Sequence, residues 1–127
     1  MNKFLFELFS TGPIENAIGT SELSVSKTVI VKVLNNGDCR THVRIKLFAL
    51  DGTKREVDCQ PLSVSRRASA FVILDVAELF EFEIQIAIEK DHDVLVSVWG
   101  KDENGNLVAA QRLVHQELVE ICDVTDY

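Results

Sequence analysis

Residues 80–89 read FEFEIQIAIE, the clearest structural signal in the sequence. Large apolar side chains occupy every even position, and polar or charged ones occupy the odd positions except Ala87. Successive side chains of a β-strand point to opposite faces, whereas a helix brings together residues three or four apart. The segment is therefore predicted to be a strand with one buried face, formed by Phe80, Phe82, Ile84, Ile86 and Ile88.

Similar short segments lie on both sides of this strand, and turn-forming residues separate them. The predicted turns are Asn35–Asp38, Asp51–Gly52, Asp91–Asp93 and the hairpin loop Lys101–Asn106. A polar segment at 54–60, stopped by Pro61, is predicted to be a sheet edge, and the nearly all-apolar segment 68–76 a central strand. Further strands are expected around 23–33, 43–49, 94–98, 107–114 and 118–122. This pattern predicts an all-β chain that forms a single β-sandwich of about eight strands, with jelly-roll and immunoglobulin-like topologies both open.

The N-terminus concentrates large apolar side chains, and Ser10–Pro13 then breaks any regular element. Burying one such side chain contributes about 1.5–3 kcal/mol, so the segment should occupy an apolar groove. It can do so as the first strand of its own sandwich, or as an extended connector that enters a neighbouring copy. The second outcome divides the chain into a connector and linker at 1–21, a sandwich at 22–122 and a tail at 123–127. Its predicted docking residues are Phe4, Leu5, Phe6, Leu8, Phe9 and Ile14.

The charge of the chain restricts its partners. Its 127 residues carry 20 acidic and 13 basic side chains, a net charge of −7, which argues against nucleic acid and anionic membranes as partners. No apolar stretch approaches the roughly 20 residues of a membrane-spanning helix. Glu7 interrupts the apolar run that follows Lys3, so we expect no secretion signal.

Catalytic and metal-binding patterns are missing from the sequence. His42, His92 and His115 fall in different predicted elements without metal-pair spacing, and no nucleophile elbow or phosphate-binding loop occurs. The three cysteines lack CxxC spacing and are expected to be reduced structural thiols. The loop 102–106 is explained by turn geometry rather than by calcium. We therefore expect no enzyme, no cofactor and no metal site. The cysteines are Cys39, Cys59 and Cys122; the carboxylates expected to form a solvated face are Glu78, Glu81, Glu83 and Glu89.

The C-terminal half resembles a known family. The stretch 94–102 reads VLVSVWGKD, 105–110 reads GNLVAA, and Arg112–Val114 and Glu117–Leu118 follow. Together with the Phe80 strand, these segments resemble small β-sandwich subunits of F-type endospore appendages, the fibres on bacterial spore surfaces, and related collagen-like spore-surface proteins. The resemblance covers roughly residues 65–121.

The resemblance implies a filament-forming subunit whose N-terminal connector docks into the next copy. It also implies synthesis in the mother-cell cytoplasm, location on the endospore surface as an exosporium appendage, and an anchor protein and a collagen-like tip protein as further partners. Related connectors carry cross-linking cysteines, whereas residues 1–21 contain none. Cohesion through this connector should therefore be non-covalent.

Two functions remain open at this point. The first is a self-assembling structural subunit of an endospore-surface fibre, a homo-oligomer held head to tail by its N-terminal peptide. The second is a monomeric or small-oligomer sandwich that binds a carbohydrate or a protein partner through its loops.

Overall fold

The computed structural model describes residues 5–19, 23–125 and 127, and nearly all of them lie in strands or in short connections. A single 3₁₀ turn, η1, at His115–Glu117 is the one helical element of this part of the chain. The strands are β1 (Phe6–Ser10), β2 (Ile14–Glu15), β3 (Thr28–Asn35), β4 (Thr41–Leu50), β5 (Lys54–Val64), β6 (Ser69–Asp75), β7 (Glu81–Glu89), β8 (Val94–Lys101), β9 (Leu107–Val114) and β10 (Val119–Val124).

The strands form two antiparallel sheets that pack face to face. One sheet has the order β10-β1-β7-β4-β5, with β2 as a sixth strand on β7, and the other has the order β6-β3-β8-β9. Side chains from the inner faces of both sheets make one core. This arrangement confirms the predicted all-β class and the single β-sandwich.

The strand β7 lies at the centre of the larger sheet, and Phe80, which was predicted to belong to its buried face, precedes it and is 40% exposed. Phe82, Ile84 and Ile86 have no exposed surface and fill the space between the sheets. β7 pairs with β1 and β2 on one side and with β4 on the other. Its clear sequence signal therefore matches a strand whose apolar face is completely covered.

Two predictions about edges need correction. The apolar segment 68–76 forms β6, which is an edge strand of the smaller sheet and not a central one. The polar segment 54–60 is an edge strand as predicted, but β5 continues through Pro61 to Val64. Proline is compatible with an edge because its missing N–H leaves no ladder hydrogen bond unmade on the open side.

The turn at Asn35–Asp38 is not a hairpin, because it carries the chain from β3 in one sheet to β4 in the other. The side chain of Asn35 is fully buried, and its Nδ2 donates to the carbonyl oxygens of Cys39, Val64 and Ser65. These bonds close the end of the sandwich where the chain changes sheets. By contrast, Asp51–Gly52 and Lys101–Asn106 do connect adjacent strands of one sheet.

The N-terminal segment also differs from the predicted extended connector. Residues 6–10 and 14–15 form β1 and β2 within the larger sheet of their own chain, which raises the strand number from about eight to ten. The physical reason is that β7 needs a partner on its second side, and β1 supplies both the backbone pairing and the apolar side chains. Strands from the predicted connector at 1–21 and from the predicted sandwich at 22–122 therefore share one sheet. At the other end, β10 extends to Val124, past the predicted boundary at residue 122.

Candidate functional site: the position of β1

The first strand of the chain occupies an internal position of its sheet. β1 pairs antiparallel with β7, where Phe9 is opposite Ile86, and with β10, where Leu8 is opposite Cys122. β10 has no other strand partner in the described structure. The position between β7 and β10 that β1 occupies is here called the β1 site. Through it, the first strand of the chain pairs with the last one.

The predicted docking residues divide between the two faces of β1. Phe9 packs against the core and lies beside the ring of His115, with ring centroids 5.0 Å apart. Leu8 points to the opposite face and is nevertheless buried, at 6% exposure. Phe6 is half-buried, whereas Leu5 is exposed and its carbonyl accepts from the Lys90 backbone N–H at 2.7 Å.

Two predicted docking residues lie away from this strand. Ile14 is in β2, opposite Phe82, and packs against the core. Phe4 lies outside the described residues. The structure therefore buries Leu8 and partly buries Phe9 and Ile14 against their own chain, as the first of the two sequence alternatives requires.

A short link connects β1 with β2. The Thr11 N–H donates to the Ile84 carbonyl, and the Ile84 N–H donates to Thr11 Oγ1, both at 3.0 Å. Gly12 follows with a φ of +69°, in the left-handed region, and nothing lies within 4 Å of the position that a Cβ would take. Pro13 comes next and is exposed. This link is the last part of the N-terminal segment before the chain is fixed again.

Asn16 fixes the chain after the link, and its role was not predicted. Its side chain is fully buried, and its Nδ2 donates to the carbonyls of Ser26, Val76 and Leu79. Its Oδ1 accepts from the Ser26 N–H and from Gln111 Nε2. A single asparagine in a linker gives no periodic signal, so only its distant partners show its importance.

Polar residues cover the outer face of the larger sheet near β1. The carboxylate of Glu83 accepts from Ser10 Oγ and Gln85 Nε2, and it pairs with Lys54 Nζ at 2.8 Å. Burial opposes ionisation of Glu83, but the hydrogen bonds from Lys54, Ser10 and Gln85 outweigh it and hold the pKa of this carboxyl below its ordinary value. Glu83 and Glu89 are 8% and 6% exposed, so the predicted solvated face is wrong for these two residues.

The C-terminal Tyr127 completes this cover. Its hydroxyl donates to Gln85 Oε1 at 2.6 Å, and Lys46 Nζ lies 4.1 Å from the centre of its ring. Burial, and then the charges of Glu83 and Glu56, raise the pKa of the Tyr127 hydroxyl. The tyrosine therefore stays neutral and acts as a hydrogen-bond donor.

Two histidines meet one buried carboxylate at the other end of β7. Glu89 Oε1 lies 2.6 Å from His42 Nδ1 and accepts from the His42 backbone N–H, while Glu89 Oε2 lies 3.3 Å from His92 Nε2. The other ring nitrogen of His92 is 3.0 Å from Thr41 Oγ1. This order of groups resembles a nucleophile–histidine–acid set, but Thr41 has no exposed surface, so no substrate can reach its hydroxyl. The cluster closes the end of the sheet.

The cysteines form no disulfide within the described residues. Cys39 and Cys122 are exposed, Cys59 is half-buried, and all three are free thiols. Within residues 5–19, 23–125 and 127, no three His, Cys, Asp or Glu side chains are placed to hold a metal ion. The same residues include no helix of the length and hydropathy needed to span a membrane.

An exposed apolar surface lies on the outside of the smaller sheet. Leu34, Phe71, Ile73 and Leu95 are 42–59% exposed on neighbouring strands. Part of this surface is a groove of about 1030 Å³ between Phe71 and His115, with Lys32 among its lining residues. Soluble proteins seldom leave such a surface uncovered unless it serves in recognition.

Comparisons with known proteins bear on the fold alone. A search with the sequence found no matching protein-family model and no matching curated protein. Among solved structures, the Thermotoga maritima protein 1070 is 18% identical, with 90% of this chain and 94% of that chain aligned at a TM-score of 0.55. The Anabaena sensory rhodopsin transducer is 19% identical, over 72% of this chain and 85% of that chain, at a TM-score of 0.49. The first of these similarities supports the β-sandwich fold.

Proposed function

We propose that this chain is a non-catalytic, self-assembling structural subunit whose copies are joined by exchange of β1. On the sequence resemblance described above, the assembly is a fibre on the endospore surface. The observation that carries the proposal is that β1, the first strand of the described structure, occupies an internal sheet position between β7 and β10.

Exchange changes no contact within the β1 site. When β1 of a second copy enters the site, Phe9 again packs on the core and Leu8 again lies opposite Cys122. The two arrangements differ only in the link, in the entropy of association and in any contact between the bodies of the copies. Exchange of identical elements is for this reason a low-cost route to oligomers.

The link contains the residues at which the chain would change its path on exchange. The part that would move ends at Gly12–Pro13, because Ile14 pairs with β7 and Asn16 is held by three carbonyls. Gly12 has open space around it and can take other backbone angles without a side-chain clash. Reciprocal exchange closes a dimer, and exchange in sequence from one copy to the next makes a filament. The resemblance favours the filament.

A cysteine pair can distinguish the two locations of β1. Leu8→Cys places a thiol opposite the natural Cys122, at the spacing of antiparallel neighbours, which allows a disulfide. In a Cys39→Ser, Cys59→Ser background, we expect oxidation of the assembled protein to give covalent multimers on denaturing, non-reducing gels. A covalent monomer as the sole product would contradict strand exchange.

A second pair in the smaller sheet serves as the matched control. Ser97 and Val114 are direct neighbours across β8 and β9, which exchange of β1 leaves untouched. Ser97→Cys with Val114→Cys in a background without the natural cysteines should therefore give only internally cross-linked monomers. Multimers from this control would show that chance collisions, rather than exchange, produce the cross-links.

The groove near Phe71 favours the sandwich binding module as a second candidate function. Its apolar walls and the single Lys32 would suit a partner with apolar and acidic groups. In that case the Leu8→Cys protein should be a monomer or a small closed oligomer in solution and carry its disulfide within one chain.

A further inference from the structure

The edge strand β6 has the sequence of a central strand. Ser69–Asp75 reads SAFVILD, without a proline and with a charge only at its last residue, and its central side chains are apolar on both faces. Phe71 and Ile73 point outward at 59% and 55% exposure, and the inward-facing Ala70 and Val72 are only half-buried. A regular edge strand of this kind offers unpaired backbone groups and an apolar surface to another strand.

The other outer strands of the described sheets carry features that oppose such pairing. β5 contains Pro61, β10 contains Glu120 and Asp123, and β9 pairs with β8 through a register shift. The pairing of β6 with β3 has no shift along its whole length. Since proline, charge and bulges are the usual protection of edges, β6 is the edge open to a partner strand.

We propose that β6 pairs antiparallel with β6 of a second copy, across a two-fold axis at Val72. This register matches the entire seven-residue strand. It places Phe71 opposite Ile73 of the other copy on the outer face and Ala70 opposite Leu74 on the inner face. Aromatic and β-branched side chains are favourable cross-strand neighbours. The two smaller sheets become one sheet of eight strands.

The charges that flank β6 fit the same pairing. Arg66 precedes the strand, and Asp75 and Glu78 follow it, all with exposed side chains. An antiparallel two-fold contact brings the basic end of one copy beside the acidic end of the other, twice. In the proposed register Ser69, at the basic end of one strand, lies opposite Asp75 of the second copy. The charges at the two ends of β6 are thus complementary to those of a second, antiparallel β6. They would not match a strand that carries the same charge at both ends.

This contact goes beyond the exchange of β1 and does not depend on it. β6 lies in the smaller sheet, whereas the β1 site is in the larger sheet. Pairing through β6 alone closes at two copies, since a two-fold contact uses the same surface on both. Where exchange of β1 also occurs and makes filaments, β6 pairing joins one filament to another.

Cysteine trapping tests the register. Phe71→Cys and Ile73→Cys are made as separate proteins, each in a background without the natural cysteines, so that the new thiols replace exposed side chains. The proposal predicts that the mixture forms a disulfide between the two variants at least tenfold faster than either variant forms one with itself. Equal rates for mixed and identical pairs, or no disulfide in the mixture, would overturn it.

Sedimentation provides an independent readout. Phe71→Lys should raise the dissociation constant of the β6 contact by on the order of tenfold or more, because it places a charge at the centre of the new sheet. Leu95→Lys is the matched control, since Leu95 is exposed on the same sheet face, at 49% against 59% for Phe71, but belongs to the internal strand β8. An equal effect of both substitutions would assign the contact to the sheet face and refute the edge pairing.

Discussion

Asn16 and Ser26 are joined by a two-way hydrogen bond in which the asparagine side chain takes the place of a neighbouring strand. Asn16 Oδ1 accepts from the Ser26 N–H at 2.8 Å, and Asn16 Nδ2 donates to the Ser26 carbonyl at 3.1 Å. The pair fixes the N-terminal segment to the start of β3 and so defines where the exchangeable segment ends.

Asn16→Ala should lower the free energy of unfolding by about 2–4 kcal/mol, because it leaves several buried backbone groups without partners. Urea unfolding measures the loss. Asn104→Ala, in the exposed β8–β9 loop, should change stability by no more than about 0.5 kcal/mol. A similar small effect at Asn16 would show that this hydrogen-bond network does not stabilise the fold.

Gly100→Ala should destabilise the protein by about 1–3 kcal/mol, the usual cost of overpacking. A Cβ at residue 100 would lie 2.6 Å from both Gln111 Oε1 and Ser26 Oγ. Because Ser26→Ala removes one of these atoms, the double variant should be more stable than the sum of the two single effects predicts. Strict additivity in urea unfolding would contradict this contact.

Glu83 should make stability depend on acidity. Its pKa is held below the ordinary value of 4.5, so the unfolded chain binds a proton first as the pH falls. The contribution of Glu83 is therefore complete above pH 4.5 and is lost as the pH falls through the folded-state pKa. Glu83→Gln should reduce stability at pH 7 by about 1–3 kcal/mol and flatten the loss in acid. An unchanged acid profile in urea unfolding would argue against the Ser10 and Lys54 bonds.

His115 should make the free energy of unfolding depend on pH in a higher pH range than Glu83 does. Burial lowers the pKa of its imidazole below 6.5, and the neutral Nδ1 accepts from the Val96 N–H at 3.1 Å. Protonation thus favours the unfolded chain, and the contribution of His115 is complete above pH 6.5 and falls below it.

The comparison of wild type with His115→Gln isolates this effect, because His42 and His92 are common to both proteins. The stability advantage of the wild type, taken from urea midpoints, should shrink as the pH falls from about 7.5 to 5.5. If the difference in stability between the two proteins stayed constant across this range, protonation of His115 would not be what destabilises the folded chain.

The sequence predicts the β-sandwich well because its strongest signals are local. The alternation of Phe82, Ile84 and Ile86 needs no information beyond the strand itself. The burial of Glu83 on the opposite face depends on Lys54 and Tyr127, which are distant in the chain, so no local pattern could show it.

The position of a strand in its sheet is likewise not a local property. β6 has the composition of a central strand, and only the topology shows that it lies at an edge. The apolar N-terminus was compatible with both an own-chain strand and a connector, since both bury Leu8 and Phe9. The same ambiguity is the physical basis of the proposed exchange, in which one site accepts either copy of β1.

Electron cryomicroscopy of the assembled protein tests the exchange most directly, by tracing the chain from Ser10 through Gly12 to Ile14. We predict filaments in which this link passes from one subunit to the next and β1 lies between β7 and β10 of the neighbour. Filaments in which every β1 returns to its own sheet, or a protein that remains monomeric at all concentrations, would contradict the account.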